Sequence, residues 1–588
     1  MKKFIEVISK EVMKAFEKSG YDAELGRVSV SNRPDLCEYQ CNGAMAGAKQ
    51  YKKAPIMIAN EVLANLKDSQ AFSSVEAVMP GFLNLKIDEK FLLDFLNKMV
   101  TEDKFGVEMP EKKQTIIVDY GGPNVAKPLH VGHLRPAIIG ESIKRIARYA
   151  GHQVIGDVHL GDWGMPMGQI ITELRVRKPD LCYFDENYTG EYPKEPPFTI
   201  SELEEIYPYA SGKCKKEEEY KAKALEATAQ LQNGRRGYRA LWQHILNVSV
   251  SDLKKNYQKL NVEFDLWMGE SDVDGIIPQM VERMKKEGLA YISDGALVVD
   301  VKEETDKKEL PPCIILKSDG AANYETTDLA TIVWREKEYS PNAIIYVVDK
   351  RQELHFEQVF RCARKTKLLR EEADLQFIGF GTMNGADGKP FKTRDGGVLR
   401  LEYLLQQIAN EMYDKIKENK ELPEEEARNT ANMIALAAVK YGDLSNQASK
   451  DYIFDTERFT SFEGDTGPYL LYTIVRIKSI LHKFEENGGS LENLTCIAPT
   501  TAAEKDLMKD LVGFNAMVED AFTERAPHKV CAYIYRLANE FNSFYHATKI
   551  LSQEDAVKKN GYLALLQNTL CILETCIELL GFYAPERM

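Results

Sequence analysis

The sequence predicts an α/β protein in three parts, in which a parallel sheet covered by helices is followed by an all-helical region. Three observations support this fold class. Residues 1–105 combine amphipathic helical patterns with an alternating run, "FLNLKI", which is typical of a strand. Between residues 106 and 400, apolar β-rich runs alternate with helical patterns, as in parallel sheets with crossover helices. From residue 401 to residue 588 helical periodicity dominates. We therefore expect three domains with these boundaries.

Four apolar runs mark the strands of the predicted parallel sheet: "TIIVDY", "QVIGDVHL", "IIYVVD" and "LQFIGFG". The sheet pattern is interrupted from about residue 171 to residue 261, where the chain is rich in Glu, Lys, Ala and Leu. Such a composition is typical of helices with one face in solvent. We therefore expect a helical insertion within the central domain.

Length and composition place the chain among globular proteins. Its 588 residues exceed the size of one hydrophobic core, and 44% of them are apolar. No apolar run approaches the roughly 20 residues that a helix needs to cross a bilayer. The start, "MKKFIEVISKEVMKAFEKSG", alternates charged and apolar residues at helical spacing, unlike a signal peptide. We expect a cytoplasmic protein without a membrane partner.

Net charge and cysteine spacing argue against nonspecific DNA binding and against a metal site. The formal net charge is -14, which argues against nonspecific binding of DNA, because a polyanion must meet clustered Lys and Arg side chains. The ten cysteines include no CxxC pair, and the closest are Cys37/Cys41 and Cys571/Cys576. We expect reduced, mostly buried thiols and no metal site.

The stretch "YGGPNVAKPLHVGHLRPA", Tyr120 to Ala137, joins the first run of the predicted sheet to a predicted helix. A helix N-terminus offers free N–H groups and the positive end of the helix dipole, so phosphates bind there. His130 and His133 stand at this entry, and Gly132 between them leaves room for a nucleobase or ribose near the backbone. Imidazoles can donate to phosphoryl oxygens as charge builds on an attacked phosphate. HxGH alone is short enough to arise by chance, so its context decides.

That context is a resemblance along almost the whole chain. The run "GGPNVAKPLHVGHLR", followed by "GHQV" and "GDWG", is similar to the signature region of class I aminoacyl-tRNA synthetases, and its Pro-Asn-x-x-Lys element resembles arginyl-tRNA synthetases. Further segments resemble that family in order: "RPDLCEYQCNGAMAGAK", then "YETTDLA", "RQELHFEQVF" and "DGKPFKTRDGGVLRL", then "DYIFD", "FEGDTGPYLLYTIVRI" and "LLGFYAPERM". The resemblance implies a Rossmann-like catalytic domain, an N-terminal add-on domain that binds tRNA and a helical anticodon-binding domain.

The resemblance implies an arginine–tRNA ligase. Such an enzyme activates L-arginine with ATP as a substrate and Mg²⁺ as its companion ion, and transfers the arginyl group to the 3′-terminal ribose of tRNA(Arg). We expect a monomer. Two alternatives remain open: a synthetase-like paralogue that binds tRNA or arginine with little or no aminoacylation, and another class I enzyme such as the cysteinyl one, which would show zinc-ligand cysteines.

The resemblance also implies the site residues. A guanidinium is planar and permanently charged, so its pocket needs a carboxylate and a second acceptor, which Asp328 and Tyr324 supply. Four residues apart, they would share one face of a helix. Activation needs no general base, because the carboxylate of arginine is already ionised. The other implied roles are arginine binding by Asp119, Gly122, Pro123, Asn124, His133 and Gln352, ATP binding by His130, Gly132, His133 and Lys392, and catalysis by His130, His133, Lys392, Lys389 and Lys127.

The C-terminal helices supply candidate tRNA contacts. Tyr and Arg alternate in "YTIVRIK" and in "YIYRLANEFNSFYHATK", which includes Tyr545. Aromatic rings can stack on unpaired anticodon bases, and Arg can bind phosphates. An aromatic stripe at helical spacing is also typical of a packed core, so we assign these contacts to the domain.

The sequence departs from the family pattern at a few positions. The usual Ser-Ser is replaced by Gly121 and Gly122, a usual Ser by Pro136, and a usual Gln-Phe by Pro166 and Met167. The lysine loop is "KPFKTR" where class I enzymes typically have Lys-Met-Ser-Lys. These departures motivate the paralogue alternative, whereas the retained nucleotide-binding residues favour the enzyme.

Overall fold

The computed structural model describes residues 1–127, 129–385, 387–389, 399–418 and 422–588. The N-terminal part is an antiparallel sheet with strand order β1–β2–β4–β3, packed against helices. Its strands are β1 (Val28–Val30), β2 (Tyr39–Cys41), β3 (Phe72–Val78) and β4 (Phe82–Ile87). Its helices are α1 (Phe4–Lys18), α2 (Gly43–Tyr51), α3 (Pro55–Ala64) and α4 (Glu89–Met99). The predicted strand "FLNLKI" is β4.

The central part is built on a parallel sheet. Its strands are β5 (Thr115–Tyr120), β6 (Gln153–Leu160), β7 (Leu266–Gly269), β8 (Tyr291–Ser293), β9 (Ala296–Val299), β10 (Cys313–Leu316), β11 (Ala343–Asp349), β12 (Asp374–Phe380) and β13 (Met383–Asn384). Its helices are α5 (Leu134–Tyr149), α6 (Met165–Arg177), α7 (Ile200–Cys214), α8 (Glu218–Gln232), α9 (Arg236–Lys259), α10 (Glu270–Val273), α11 (Ile277–Lys286), α12 (Tyr324–Tyr339) and α13 (Glu353–Lys365). Five parallel strands pair in the order β12–β11–β5–β6–β7. The four apolar runs are β5, β6, β11 and β12, so the predicted fold class is confirmed.

Each face of the parallel sheet has its own core. Along β5 the side chains alternate, so that Ile116 and Val118 lie in one core and Ile117 lies in the other. Helix α5 packs into the first core, and α12 and α13 pack into the second. Burial on both faces explains why these strands are continuous apolar runs in the sequence.

Two additions extend the central sheet. Helices α7, α8 and α9 lie between β6 and β7 in the chain and pack on α6 and on one another, which agrees with the predicted helical insertion. A small antiparallel sheet of order β10–β9–β8 precedes α12. Its strands were not predicted, because three or four residues are too few to show a clear alternation. The domain boundaries at residues 105 and 400 stay predictions.

The C-terminal part is almost entirely helical. Its helices are α14 (Leu401–Lys417), α15 (Glu424–Leu444), α16 (Thr456–Phe459), α17 (Gly467–Glu486), α18 (Ala502–Val512), α19 (Phe514–Thr523), α20 (Pro527–Ala547) and α21 (Ala556–Leu580). One short strand, β14 (Tyr452–Ile453), pairs in parallel with β13 of the central part. This pairing ties the C-terminal part, which is helical as predicted, to the sheet domain.

Helix α21 is interrupted by charged residues, yet within the described ranges it alone is long and apolar enough, by length and composition, to cross a bilayer. In the structure, 61% of its most apolar 18-residue window is buried. Its packing partners are α17, α20 and α5. Its apolar composition is therefore explained by its position in the core between the helical and central parts.

Candidate active site

The strand order of the parallel sheet reverses between β5 and β11, because β6 and β7 lie on one side of β5 and β12 lies beyond β11. Ligands of open parallel sheets bind at the carboxyl ends of the strands at such a reversal. A cleft of about 880 Å³ opens there, which is a size typical of small-molecule sites. It is lined by the predicted site residues Asp119, Gly122, Asn124, His130, Gly132, His133, Tyr324, Asp328 and Gln352.

A single turn of 3-10 helix, Val131–His133, places the two histidines and leads into α5. Gly132 N donates to His130 Nδ1 at 3.0 Å, and His130 N donates to His133 Nδ1 at 3.1 Å. A neutral ring held in this way carries its proton on Nε2. Burial lowers the pKa of His133 to about 3, and it also lowers the pKa of His130. Both imidazoles are therefore neutral Nε2–H donors at neutral pH.

Gly132 makes room for a side chain of the motif itself. A Cβ at this position would lie 2.7 Å from the Cε1 atom of His130. The space that the sequence analysis assigned to a nucleobase or ribose is thus taken by the His130 ring. Any larger residue would push this ring away from the backbone N–H that fixes its tautomer.

The loop after β5 runs directly against the end of β6. Gly121 has a positive φ of 73°, and a Cβ on Gly122 would lie 2.2 Å from the carbonyl oxygen of His159. Gly161 N donates to the carbonyl of Pro123 at 3.2 Å. The two glycines that depart from the family pattern therefore allow a close backbone approach. Pro123 is part of this backbone contact and does not line the cleft.

The two prolines that depart from the family pattern also fit their helices. Pro136 is the third residue of α5, and Pro166 is the second residue of α6. The first turn of a helix tolerates proline, because its N–H groups have no partner within the helix. Neither residue interrupts the helix that it enters.

Helix α12 forms the opposite wall of the cleft. Its first residue, Tyr324, and Asp328 one turn later both line the cleft. The Asn323 side chain caps this helix by accepting from Thr326 N at 3.3 Å. Gln352 ends a 3-10 turn, Lys350–Gln352, that follows β11 and leads into α13.

Glu270 and His355 are two of the ionisable residues that line the cleft and were not predicted from the sequence. Glu270 opens α10 directly after β7, and burial raises the pKa of its carboxyl to about 7, to which nearby Asp162 and Asp328 contribute. His355 of α13 places Nε2 2.5 Å from Asp328 Oδ2. The only signal for His355 was the segment "RQELHFEQVF", from which Gln352 alone was assigned.

Asp119 lines the cleft but is engaged by a buried arginine. Its Oδ2 accepts from Arg335 Nη2 at 2.6 Å, and the same nitrogen donates to Asp157 at 2.6 Å. Arg335 is fully buried on α12. The carboxylate of this implied arginine-binding residue therefore shares its charge with Arg335, which was not predicted from the sequence.

Two of the three candidate lysines, Lys127 and Lys389, are not among the residues that line the cleft, and the third lies outside the described residues. The ammonium of Lys127 stands 4.7 Å from the ring centroid of Tyr207 on α7. Lys389 does not line the cleft, and its backbone N–H donates to Asp387 at 3.1 Å. Lys392 lies outside the described residues. Over the described ranges, no three His, Cys, Asp or Glu side chains form a cluster able to hold a metal ion.

Comparisons with known families match these three parts of the chain. Residues 95–456 match "tRNA synthetases class I (R), catalytic domain", residues 470–588 match "DALR anticodon binding domain", and residues 2–87 match "Arginyl tRNA synthetase N terminal domain". The chain is 64% identical to an arginine–tRNA ligase of Agathobacter rectalis and 56% identical to one of Alkaliphilus oremlandii. Both matches cover 100% of the two chains compared.

Solved structures share the whole architecture. An arginyl-tRNA synthetase from Plasmodium falciparum superposes with a TM-score of 0.81 at 24% identity, and one from Thermus thermophilus with a TM-score of 0.79 at 23% identity. Each comparison covers 100% of both chains. Sequence relatives, family matches and the cleft at the strand reversal agree: the chain belongs to the arginyl-tRNA synthetase family of class I aminoacyl-tRNA synthetases.

Proposed function

We infer that the protein is an arginine–tRNA ligase, which activates L-arginine with ATP and transfers the arginyl group to the 3′-terminal ribose of tRNA(Arg). The observation that carries this function is the cleft at the strand reversal. It presents the two neutral imidazoles on one wall, and Asp328, Tyr324 and Glu270 on the other. One site can thus hold a nucleotide and a cationic amino acid side by side.

The phosphates of ATP belong at the entry of α5 in this proposal. There the Nε2–H groups of His130 and His133 donate to oxygens of the α-phosphate, beside the positive end of the helix dipole. Because backbone N–H groups fix both rings, the donors are oriented before the substrate arrives. Such preorganised donors stabilise the charge that develops during attack on phosphorus.

The guanidinium of arginine belongs between Asp328, Tyr324 and Glu270. Its five N–H donors need several acceptors, and a carboxylate can accept two of them side by side. Glu270, whose pKa is raised by burial to about 7, would ionise fully beside the arriving cation. Asn124 and Gln352 are our candidates for holding the backbone end of the amino acid, and His133, Asp119 and Gly122 line the same cleft.

The reaction needs positioning more than proton transfer. A carboxylate oxygen of arginine attacks the α-phosphorus, the bond to the pyrophosphate oxygen breaks, and pyrophosphate leaves. A hydroxyl of the terminal ribose then attacks the carbonyl carbon and loses its proton, and AMP leaves. Holding these groups in line replaces a bimolecular encounter and so lowers the barrier to reaction.

Cations would assist the departure of pyrophosphate. Lys127, Lys389 and Lys392 are the candidates, of which Lys127 would have to leave the Tyr207 ring to reach the phosphates. Mg²⁺ commonly binds through substrate phosphates and water, which fits a cleft without a described three-ligand cluster. Bound there, it would neutralise phosphate charge.

The C-terminal part is our candidate for the anticodon interface. The guanidinium of Arg476 lies 4.8 Å from the ring centroid of Tyr472 and 5.0 Å from that of Tyr545. This cluster joins the two Tyr/Arg stretches of the sequence, and it offers a ring and a cation to an unstacked base. The N-terminal domain would bind another part of the same tRNA.

We propose that the protein acts as a monomer in the cytoplasm, with neither a membrane nor DNA as its partner. The described residues give no support to a paralogue without activity, because the histidine motif and the carboxylate wall line one cleft. The glycine and proline departures that motivated this alternative fit the fold without strain.

The direct test is ATP-dependent charging of bulk tRNA with labelled arginine. We expect charging by the wild type and a loss of at least about 100-fold in kcat/KM for arginine in Asp328→Ala, since a charge-assisted bond inside a cleft is lost. Glu338→Ala, an exposed change on the same helix outside the cleft, is the control and should charge normally. A folded wild type that binds tRNA but does not charge it would contradict the proposal.

A further inference from the structure

His355 bridges two carboxylates of the helix that forms the arginine wall. Its Nε2 lies 2.5 Å from Asp328 Oδ2, and its Nδ1 lies 3.6 Å from Glu325 Oε1. The three side chains are each about one-fifth exposed. Asp328 and Glu325 are both on α12, while His355 is in the first turn of α13. The bridge therefore joins the two helices beside the cleft.

The bridge fixes the charge of its three groups. Burial alone would lower the pKa of His355, but the hydrogen bond to Asp328 and the charges of Asp328 and Glu325 outweigh it and raise the pKa to about 9. The ring is then an imidazolium at neutral pH, with Nε2 donating to Asp328 and Nδ1 facing Glu325. One oxygen of Asp328 is occupied, and the other remains free to accept from a ligand. Two carboxylates and one imidazolium carry a net charge of one negative unit.

A single unit of charge matters for selection among cations. Without the imidazolium, Asp328 and the neighbouring Glu325 would leave two uncompensated negative charges at this wall, beside that of Glu270, and these would attract any compact cation, such as an ammonium. With the imidazolium in place, the free oxygen of Asp328 accepts hydrogen bonds from one direction. A planar guanidinium donates in fixed directions and can match this oxygen, whereas an ammonium is close to a point charge.

We propose that His355 is a positioning residue for arginine: it holds Asp328 by one oxygen so that the other faces the guanidinium, and it keeps the wall selective for arginine over lysine. The inference rests on the proposed function, since it assumes that Asp328 binds the guanidinium. His355 itself acts through Asp328 and need not contact the substrate.

Two substitutions separate hydrogen bonding from charge. His355→Gln retains a donor near the Nε2 position without the charge, and His355→Leu removes both. We expect His355→Leu to raise KM for arginine about 10-fold to 100-fold, as for a lost charge-assisted bond, with kcat and KM for ATP within about 3-fold. We expect His355→Gln to restore KM for arginine while lysine becomes a stronger competitor. Leu354→Gln, an exposed change in the same turn, is the control.

The readouts are KM and kcat for charging, inhibition by lysine, and circular dichroism to establish folding. A merely structural bridge would lower kcat or change KM for ATP together with KM for arginine, and this result would overturn the proposal. If His355→Leu does not fold, His355→Gln decides, because an unchanged ratio of arginine to lysine affinity contradicts a role in selection. Failure of the wild type to charge any tRNA would instead contradict the proposed function, so the two failures are distinguishable.

Discussion

At the scale of single residues, the cleft is organised by groups whose charge is set by their neighbours. His130 and His133 are held neutral by burial and oriented by backbone N–H groups. On the other wall, His355 is held positive by two carboxylates. The same type of side chain thus acts as a neutral donor to phosphate on one wall and as a fixed cation on the other.

Glu270 should make arginine binding depend on pH. Its carboxyl is buried, so its pKa is raised to about 7. The carboxyl is mostly protonated at pH 6 and mostly ionised at pH 8, and only the ionised form attracts a guanidinium. Arginine binding by the wild type should therefore strengthen as pH rises from 6 to 8. Below the pKa, affinity should fall by up to about 10-fold for each pH unit.

The measurement is arginine binding by calorimetry at several pH values, for wild type and Glu270→Gln. The variant should bind arginine about 10-fold to 100-fold more weakly at pH 8, and its affinity should be flat where that of the wild type rises. ATP binding is the internal control and should not change. Equal pH profiles for both proteins would show that another group is responsible.

At the scale of elements, the parallel strands and the ends of helices place the site. Helix α12 carries Tyr324 in its first turn and Asp328 one turn later, so the start of this helix determines the geometry of the arginine wall. The Asn323 side chain fixes that start, because it accepts from both the N–H and the hydroxyl of Thr326.

Asn323 does not line the cleft, but Asn323→Ala should weaken arginine binding by loosening the start of α12. Loss of a helix cap costs about 1 kcal/mol, which corresponds to about a 5-fold faster hydrogen exchange in the first turn of α12. We expect a KM for arginine raised by a similar factor, and an unchanged KM for ATP. Asn323→Ser keeps a cap and should restore both values. Faster exchange without any change in KM for arginine would mean that another contact positions Tyr324 and Asp328.

Long buried strands and motifs of adjacent residues could be predicted from the sequence, whereas short strands and contacts between elements could not. Strands β5, β6, β11 and β12 were predicted because burial on both faces leaves long apolar runs, whereas β7 and the strands β8 to β10 have four residues or fewer. The histidine motif was found because its residues are adjacent in the chain. Glu270, His355 and Arg335 were missed because each comes from a different element, and only the folded sheet brings them to Asp328 or Asp119.

At the scale of the whole molecule, the sheet domain and the helical part are joined by a buried ion pair. Arg135 of α5 donates from Nε to Asp443 of α15 at 3.0 Å, and Tyr452 donates to the same carboxylate oxygen at 2.7 Å. Both charged side chains are almost fully buried. Arg135 also lines the cleft, so this junction connects the catalytic site with the part that we propose to read the anticodon.

Removing one partner of this pair should be more harmful than removing both. Arg135→Met leaves Asp443 buried without its cation, and we expect it to lower the free energy of unfolding by about 3–5 kcal/mol. The double variant Arg135→Met with Asp443→Leu should lose less, because no charge is left unpaired. Urea denaturation of the four proteins of this cycle measures the coupling.

An exposed pair serves as the control for that cycle. Arg27 and Glu24 form an ion pair with side chains 78% and 58% exposed, and Arg27→Met should change stability by less than about 1 kcal/mol. Additive losses across the buried pair would contradict the view that it couples the two parts of the molecule.

We expect this whole architecture to attach arginine, and no other amino acid, to the 3′ end of tRNA. The most direct measurement is ATP-dependent charging of bulk tRNA with each labelled amino acid in turn, using intact tRNA and tRNA whose terminal ribose has been oxidised by periodate. We expect label from arginine alone, on intact tRNA alone. Label from another amino acid would contradict the assigned pocket, and label on oxidised tRNA would contradict transfer to the terminal ribose.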